Sequence, residues 1–239
     1  MSVLQFIRAL FLLIIAFPLT IVISTLALMD ITIFRKDVEK AHFFPRAWGR
    51  IICSIVGVKV NIEGLENIRQ EDTYIFAANH ASQFDIFAFQ GYFPHSFRWI
   101  AKKELFNIPV FGRAMRKVGY ISIDRSKGRQ ALKSLEEAAR QISSGKSVLI
   151  FPEGTRTPDG KMADFKAGAI LLAIKAGVPV VPLAFINSYN ILPKGKLLAN
   201  SGTVTIRIGS PIATDHYQSK DKQALTRELQ QKVQLLHDK

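Results

Sequence analysis

The sequence predicts an α/β fold, with a largely parallel or mixed sheet flanked by helices and preceded by N-terminal membrane-binding helices. Two observations indicate this class. Short apolar runs with strand periodicity alternate with helical patterns beyond residue 57, and a long uncharged segment lies near the N-terminus. At 239 residues and 48% hydrophobic, the chain can bury one sizeable core, which excludes a disordered protein.

A 21-residue uncharged run from Ala9 to Met29 predicts a membrane helix, because about 20 apolar residues suffice to cross the hydrocarbon core. A cleavable signal peptide is the alternative, but its apolar core usually has only about 7–15 residues. Pro18 lies within the run and favours a kink, so spanning and insertion into one leaflet both stay open. The cations around the run, by the positive-inside rule, place the C-terminal part in the cytoplasm. They are Arg8 before it and Arg35, Lys36, Lys40, Arg46 and Arg50 after it.

The next segment, residues 41–56, has apolar residues at helical spacing with cations between them. Two interpretations fit: an amphipathic helix at the headgroup interface, and a helix packed on the following domain. The composition changes near Gly57. We therefore expect residues 1–57 to form N-terminal membrane-associated helices and residues 58–239 to form the catalytic domain.

Strand and helix patterns alternate after Gly57. Strands are predicted over residues 58–63, 73–78, 97–101, 119–123, 147–151, 178–186 and 203–208. Helices are predicted after Asp85 and over residues 128–143, 166–176 and 220–236. Because helices separate most strands, the sheet should be largely parallel, with a ligand site at the carboxyl ends of its strands.

The charge balance predicts an anionic partner. Lysines and arginines number 32 against 19 acids, a formal charge of +13. A nucleic-acid surface would need a basic stripe with exposed aromatics, whereas these cations are spread along the chain, so nucleic acid is not an expected partner. Cys53 is the single cysteine and the histidines lack ligand spacing, so we expect no disulfide within the chain and no metal site.

A polar motif, Asn79-His80-Ala81-Ser82-Gln83-Phe84-Asp85, follows the apolar run that ends at Ala78. Histidine can take and return a proton near neutral pH, and it needs a partner on its second ring nitrogen to fix the tautomer. Asp85 could be that partner if His80 lies in the turn before a helix and Asp85 in its first turns. The motif is therefore a candidate general base, and the alternative at this spacing alone is a helix-capping or core histidine with Asp85 as a solvated charge.

A second motif, Phe151-Pro152-Glu153-Gly154-Thr155-Arg156, begins at the end of another apolar strand. Gly154 allows a tight turn that exposes backbone N–H groups, and Arg156 offers a planar fork that suits phosphate oxygens. The motif predicts an anion clamp at the same sheet edge as His80. Glu153 would repel a phosphate, and our hypothesis is that it holds Arg156 or a substrate hydroxyl in position.

The first motif resembles the first signature block of the glycerolipid acyltransferase family, in particular of its bacterial 1-acylglycerol-3-phosphate acyltransferases. Three further blocks follow in the family's order, and the similarity covers roughly residues 58–210. The second block runs from Lys103-Glu104-Leu105 through Pro109, Gly112 and Gly119 to Asp124-Arg125, the third is the Phe151–Arg156 motif, and the fourth is Gly177-Val178-Pro179-Val180-Val181-Pro182.

This resemblance implies acyl transfer from an acyl thioester to the sn-2 hydroxyl of lysophosphatidic acid, giving phosphatidic acid. Acyl-CoA or acyl carrier protein would be the co-substrate, with no further cofactor. His80 would be the base and Asp85 would orient it. From the apolar run and the cations around it, we expect a protein of the inner (cytoplasmic) membrane whose catalytic domain faces the cytoplasm. The expected substrate-binding residues are Asn79, Lys103, Arg125, Glu153, Gly154, Thr155 and Arg156, of which Lys103, Arg125 and Arg156 are phosphate candidates.

Two other functions stay open at this point. The same base and fold could act on another lysophospholipid, a lyso-glycolipid or glycerol 3-phosphate. A non-catalytic membrane protein that binds anionic lipids would also use the positive charge.

Overall fold

The computed structural model describes residues 2–33, 42–124 and 128–239. Arg125, one of the predicted phosphate ligands, lies outside the described residues, as do Arg35, Lys36 and Lys40. The α-helices of the described part are α1 (Val3–Thr32), α2 (Phe43–Val56), α3 (Phe84–Tyr92), α4 (Phe111–Lys117), α5 (Arg129–Ser143), α6 (Ala167–Ala176), α7 (Ser188–Ile191) and α8 (Lys222–Asp238).

The described strands form one mixed sheet of seven strands in the order β1-β7-β6-β2-β5-β3-β4. All neighbouring pairs are parallel except β6 and β7, which are antiparallel. This confirms the predicted fold class. The strands are β1 (Val58–Glu63), β2 (Ile75–Ala78), β3 (Arg98–Lys102), β4 (Ile121–Ile123), β5 (Val148–Ile150), β6 (Val180–Ile186) and β7 (Gly202–Ile208).

The central strand β2 contributes side chains to the cores on both faces of the sheet, because successive side chains of a strand point to opposite sides. Phe76 and Ala78 pack in a core with α2 and α3, whereas Ile75 and Ala77 pack in a second core with α5, α6 and α8. Strands β2 and β5 are parallel neighbours, so their carboxyl ends meet at the same edge of the sheet. The two polar motifs follow these two strands, as predicted.

Helix α1 is longer than the predicted run and continues through Pro18. It is long and apolar enough to cross a membrane by length and composition. One side of α1 packs on α2 and α4, and Trp48 of α2 donates its indole N–H to Thr20 Oγ1 at 3.0 Å. The apolar side chains away from this contact are exposed, for example Ile14 and Phe17.

Helix α2 follows the second of the two interpretations, since it packs on the sheet-containing domain. Ile52, Cys53 and Val56 are buried in the same core as β2 and α3. Its cations are fixed on the end of α3: Arg46 donates to the carbonyls of Phe93 and Pro94, and Arg50 donates to that of Gly91. The core therefore continues across residue 57, and the division of the chain at that residue stays a prediction.

Candidate active site

The first motif turns the chain from the end of β2 into α3. Asn79 is buried, and its amide donates to the Phe185 carbonyl at 3.0 Å and accepts from the Phe185 N–H at 2.7 Å. Asn79 thus joins the motif to β6, and its side chain is occupied by the backbone. Its role as a substrate-binding residue stays a prediction.

His80 and Asp85 meet as the spacing predicts, with Nδ1 and Asp85 Oδ2 2.8 Å apart. The same Oδ2 accepts the backbone N–H groups of Ala81 and Ser82, both at 2.9 Å, and the Asp85 side chain is fully buried. Because a carboxylate only accepts, Nδ1 carries the hydrogen and Nε2 keeps its lone pair. The arrangement leaves Nε2 as the basic nitrogen.

The His80 ring is also held on its face. It stacks on Phe151 with the two ring centroids 3.8 Å apart and the planes 10° from parallel. Its backbone is fixed as well, because the His80 N–H donates to Glu153 Oε1 at 2.5 Å and its carbonyl accepts from the Thr157 N–H at 2.9 Å. The third block therefore supports the base of the first block.

The contacts of Glu153 differ from those that our hypothesis gave it. Its Oε1 accepts from the His80 N–H, its Oε2 accepts from the Ala163 N–H at 2.8 Å, and the side chain is 2% exposed. Burial raises the pKa of Glu153, while these two backbone N–H groups act in the opposite direction. The structure gives it backbone partners in place of Arg156, and its assignment to substrate binding stays a prediction.

The turn of the third block faces solvent and the site. Gly154 has φ +79°, a left-handed conformation that suits glycine, and its N–H donates to the Phe151 carbonyl at 2.9 Å. Thr155 is exposed and Arg156 is half-buried. Within the described part of the chain, the Arg156 guanidinium forms neither a hydrogen bond nor an ion pair. A guanidinium in this state is available to an anion.

Lys103, the second phosphate candidate, already has a partner. Its ammonium lies 2.7 Å from Asp124 Oδ2, and Asp124 is 8% exposed. This contact raises the pKa of Lys103. The lysine does not line the cavity beside His80. Its role in binding phosphate stays a prediction, as does that of Arg125.

A cavity of about 540 Å³ opens beside His80. Its polar end is lined by His80 and by Gly154, Thr155 and Arg156. The rest of its wall is mainly apolar and comes from α1, α2, α3, α4 and β3. A volume of this size suits a ligand with a long apolar part and a polar end.

Sequence reasoning missed two lysines near the third-block turn. Lys166 Nζ lies 2.9 Å from the position that a Cβ on Gly154 would take. Lys194 Nζ donates to Thr155 Oγ1 at 3.3 Å and to the Arg156 carbonyl at 3.0 Å. Exposed lysines carry little signal in a single sequence, so only the folded loops reveal this proximity.

The comparisons with known proteins agree with this geometry. The family model described as "Acyltransferase" matches residues 59–186. This chain belongs to the acyltransferase family. All four blocks lie within the matched residues.

Curated relatives of this acyltransferase-family chain carry one recurring name. A chloroplastic 1-acyl-sn-glycerol-3-phosphate acyltransferase of Arabidopsis thaliana is 38% identical over 174 residues, which cover 72% of this chain and 48% of the relative. A 1-acyl-sn-glycerol-3-phosphate acyltransferase of Pseudomonas aeruginosa is 37% identical over 156 residues, covering 65% of this chain and 60% of the relative. The matched part thus spans about half the length of the plant protein.

One solved structure matches nearly the whole chain. The crystal structure of PlsC, the 1-acyl-sn-glycerophosphate (LPA) acyltransferase from Thermotoga maritima, has a TM-score of 0.73 and 30% identity, and the match covers 96% of this chain and 94% of that one. The shared fold therefore includes α1 and α2 as well as the sheet.

Proposed function

We propose that this chain transfers an acyl group from a thioester to the sn-2 hydroxyl of 1-acylglycerol 3-phosphate, giving phosphatidic acid. One observation carries the proposal: the oriented His80 and the Arg156 guanidinium, which has no ion-pair partner among the described residues, line the same mainly apolar cavity. A base, a cation and an apolar wall are the groups that a phosphorylated lysolipid with a free hydroxyl requires. The names of the curated relatives and of the structural neighbour support the same reaction.

The mechanism follows from the nitrogen left basic at His80. Nε2 takes the proton of the acceptor hydroxyl, and the resulting oxygen attacks the thioester carbonyl carbon. The C–S bond then breaks, and the departing thiolate takes up the proton that His80 held. Asp85 stabilises the imidazolium that forms in between. Because a thioester is already activated, base catalysis of about 10²–10⁴-fold together with positioning suffices, and no acyl-enzyme is required.

The donor and the location complete the proposal. Acyl-CoA or acyl carrier protein supplies the thioester, and the net charge of +13 suits either of these anionic donors. In this proposal helix α1 holds the chain in the cytoplasmic membrane with the catalytic domain on the cytoplasmic side, and the length of α1 and the cations after the apolar run support it.

The test is acylation of 1-acylglycerol 3-phosphate by the full chain in detergent, with acyl-CoA and acyl carrier protein as parallel donors. We expect phosphatidic acid from the wild type and a loss of nearly all of that rate in His80→Ala. His216→Ala, which changes an exposed histidine, is the matched control and should keep the rate. Retained turnover in a folded His80→Ala variant would exclude His80 as the base.

Other acceptors are tested in the same assay. Glycerol 3-phosphate, lysophosphatidylglycerol and a lyso-glycolipid replace the acceptor one at a time, and faster turnover of any of these would change the assigned substrate. Lipid association without consumption of thioester would favour a non-catalytic membrane protein.

The role of Arg156 has its own test. Arg156→Ala should raise KM for the phosphorylated acceptor by about tenfold or more, because a charge-assisted contact is lost, and should leave KM for the thioester nearly unchanged. An equal rise in both constants would indicate a structural arginine.

A further inference from the structure

The turn of the third block is surrounded by cations that come from distant parts of the chain. Arg156 lies in the turn itself and lines the cavity. Lys166, which precedes α6, brings its ammonium next to Gly154. Lys194, in the segment after α7, places its ammonium on Thr155 and on the carbonyl of Arg156.

These three cations have no counter-charge among the described residues: none of them forms an ion pair there. Two acids close to the turn in sequence are already occupied, because Glu153 is buried on backbone N–H groups and Asp159 accepts from the Thr157 hydroxyl and the Lys161 N–H. Like charges held close together repel, and an anion bound between them relieves that repulsion. By contrast, the charge of Lys103 is already balanced by its ion pair with Asp124.

Lys194 also belongs to a segment that holds the site together. Tyr189 in α7 donates its hydroxyl to the Pro158 carbonyl at 3.1 Å, and Ser82 of the first block donates to the Leu192 carbonyl at 3.0 Å. The segment thus touches both the loop of the base and the loop of Arg156. Two of the three ammonium hydrogens of Lys194 are used by Thr155 and Arg156, which leaves one for a ligand.

We propose that Lys166 and Lys194 complete, with Arg156, a three-cation site for a phosphate monoester dianion, and that this dianion is the acceptor's. The inference rests on the proposed function. A dianion suits several cations, and arginine with lysine combines a planar fork with point charges. In a glycerol 3-phosphate the phosphate and the free hydroxyl are on adjacent carbons, so the phosphate must bind close to the base. The turn meets this requirement because Gly154 and Arg156 line the same cavity as His80. Lys166 and Lys194 do not line the cavity wall themselves, but their ammonium groups lie against Gly154, Thr155 and the Arg156 carbonyl of that turn.

The experiment measures KM and kcat of the full chain with Lys166→Met, Lys194→Met and the double variant. Lys196→Met is the matched control, since Lys196 is exposed and only two residues from Lys194. The acceptors are 1-acylglycerol 3-phosphate and 1-acylglycerol, which lacks the phosphate. The donors are acyl-CoA and the acyl thioester of pantetheine, which carries no phosphate.

We expect each single variant to raise KM for 1-acylglycerol 3-phosphate by about tenfold, and the double variant to raise it further, with kcat little changed. Turnover of 1-acylglycerol and KM for both donors should stay as in the wild type. Lys194→Arg should restore most of the affinity lost in Lys194→Met, and Lys196→Met should have no effect.

Three outcomes would overturn the inference. Unchanged KM in the double variant would remove both lysines from the site. A rise in KM for acyl-CoA, with none for the pantetheine thioester, would assign the site to the donor's phosphates. An equal loss of kcat with both acceptors would show a purely structural role. A wild type that does not acylate 1-acylglycerol 3-phosphate would contradict the proposed function itself, which separates the two failures.

Discussion

The two halves of the candidate site differ in how their charges are satisfied. At the first block, Asp85 is fully buried and bonded to His80 and two backbone N–H groups, and Glu153 is bonded to two more. At the third-block turn, Arg156 and Lys166 have no counter-charge among the described residues. Under the proposed function, the half that would move a proton is assembled in advance, whereas the half that would bind an anion is completed by its ligand.

The largest expected effect breaks the assembled half at its centre. Asp85→Asn removes the acceptor that fixes the His80 tautomer, so kcat should fall by about 10²–10⁴-fold. Asp215→Asn is the matched control, because Asp215 makes the same kind of contact with His216 on the surface, at 3.1 Å. Steady-state kinetics with saturating acceptor measure the effect. A similar loss in both variants would contradict a catalytic pairing of His80 with Asp85.

A smaller effect on kcat is expected at Glu153, which contacts the backbone of His80 and not its ring. Glu153→Gln keeps one carbonyl oxygen but turns an amide NH₂ toward the N–H of His80 or of Ala163. A buried donor left without an acceptor costs about 1–3 kcal/mol of unfolding free energy. We also expect kcat to fall, because the His80 backbone loses a fixed partner.

Glu63→Gln serves as its control, since Glu63 is an exposed acid paired with Arg207. Thermal unfolding and kcat are measured together for both variants. If Glu153→Gln instead raised KM for the acceptor alone, Glu153 would contact the substrate, as the sequence suggested.

The turn can be perturbed without changing a charge. Gly154→Ala puts a Cβ at φ +79° and 2.9 Å from Lys166 Nζ, whereas Gly177→Ala puts one at φ +64° with open space around it. Both should lower the unfolding free energy by about 1–2 kcal/mol through the left-handed backbone. Only Gly154→Ala should raise KM for the acceptor, because only it displaces Lys166. Equal KM values in the two variants would argue against a ligand at the turn.

The smallest effect concerns pH. Because burial raises the pKa of Glu153 above its ordinary value of 4.5, the folded state binds this proton more tightly than the unfolded state. The contribution of Glu153 to stability therefore declines as pH rises from about 4.5 through the raised pKa, and is constant above it. Across this range the melting temperature of Glu153→Gln should fall less with rising pH, or rise more, than that of the wild type. Identical slopes would contradict the raised pKa.

The sequence predicted those features that depend on local patterns. The strand that precedes each motif, a helix with Asp85 in its first turn and the approach of Asp85 to His80 all follow from spacing along the chain. The contacts of Glu153 could not be predicted in this way. A carboxylate near an arginine in sequence suggests an ion pair, and only the fold shows that Glu153 instead accepts from two backbone N–H groups.

Long-range contacts explain the other differences. Three contacts join residues that are far apart in sequence: the hydrogen bonds of Asn79 with β6, the ion pair of Lys103 with Asp124, and the hydrogen bond of Lys194 to the Arg156 carbonyl. The antiparallel placement of β7 beside β6 belongs to the same class, because alternating strands and helices predict connections without fixing the strand order.

The wall of the cavity has a consequence for how this chain could change over time. Thr20, Ile23, Ser24 and Ala27 of α1 line the cavity, so the helix that is apolar enough for a bilayer is also one side of the pocket. One helix therefore presents one face to the pocket and another to its surroundings. Under the proposed function, a substitution at the cavity face of α1 alters the space open to an acyl chain, whereas a substitution at the exposed Ile14 or Phe17 leaves that wall unchanged.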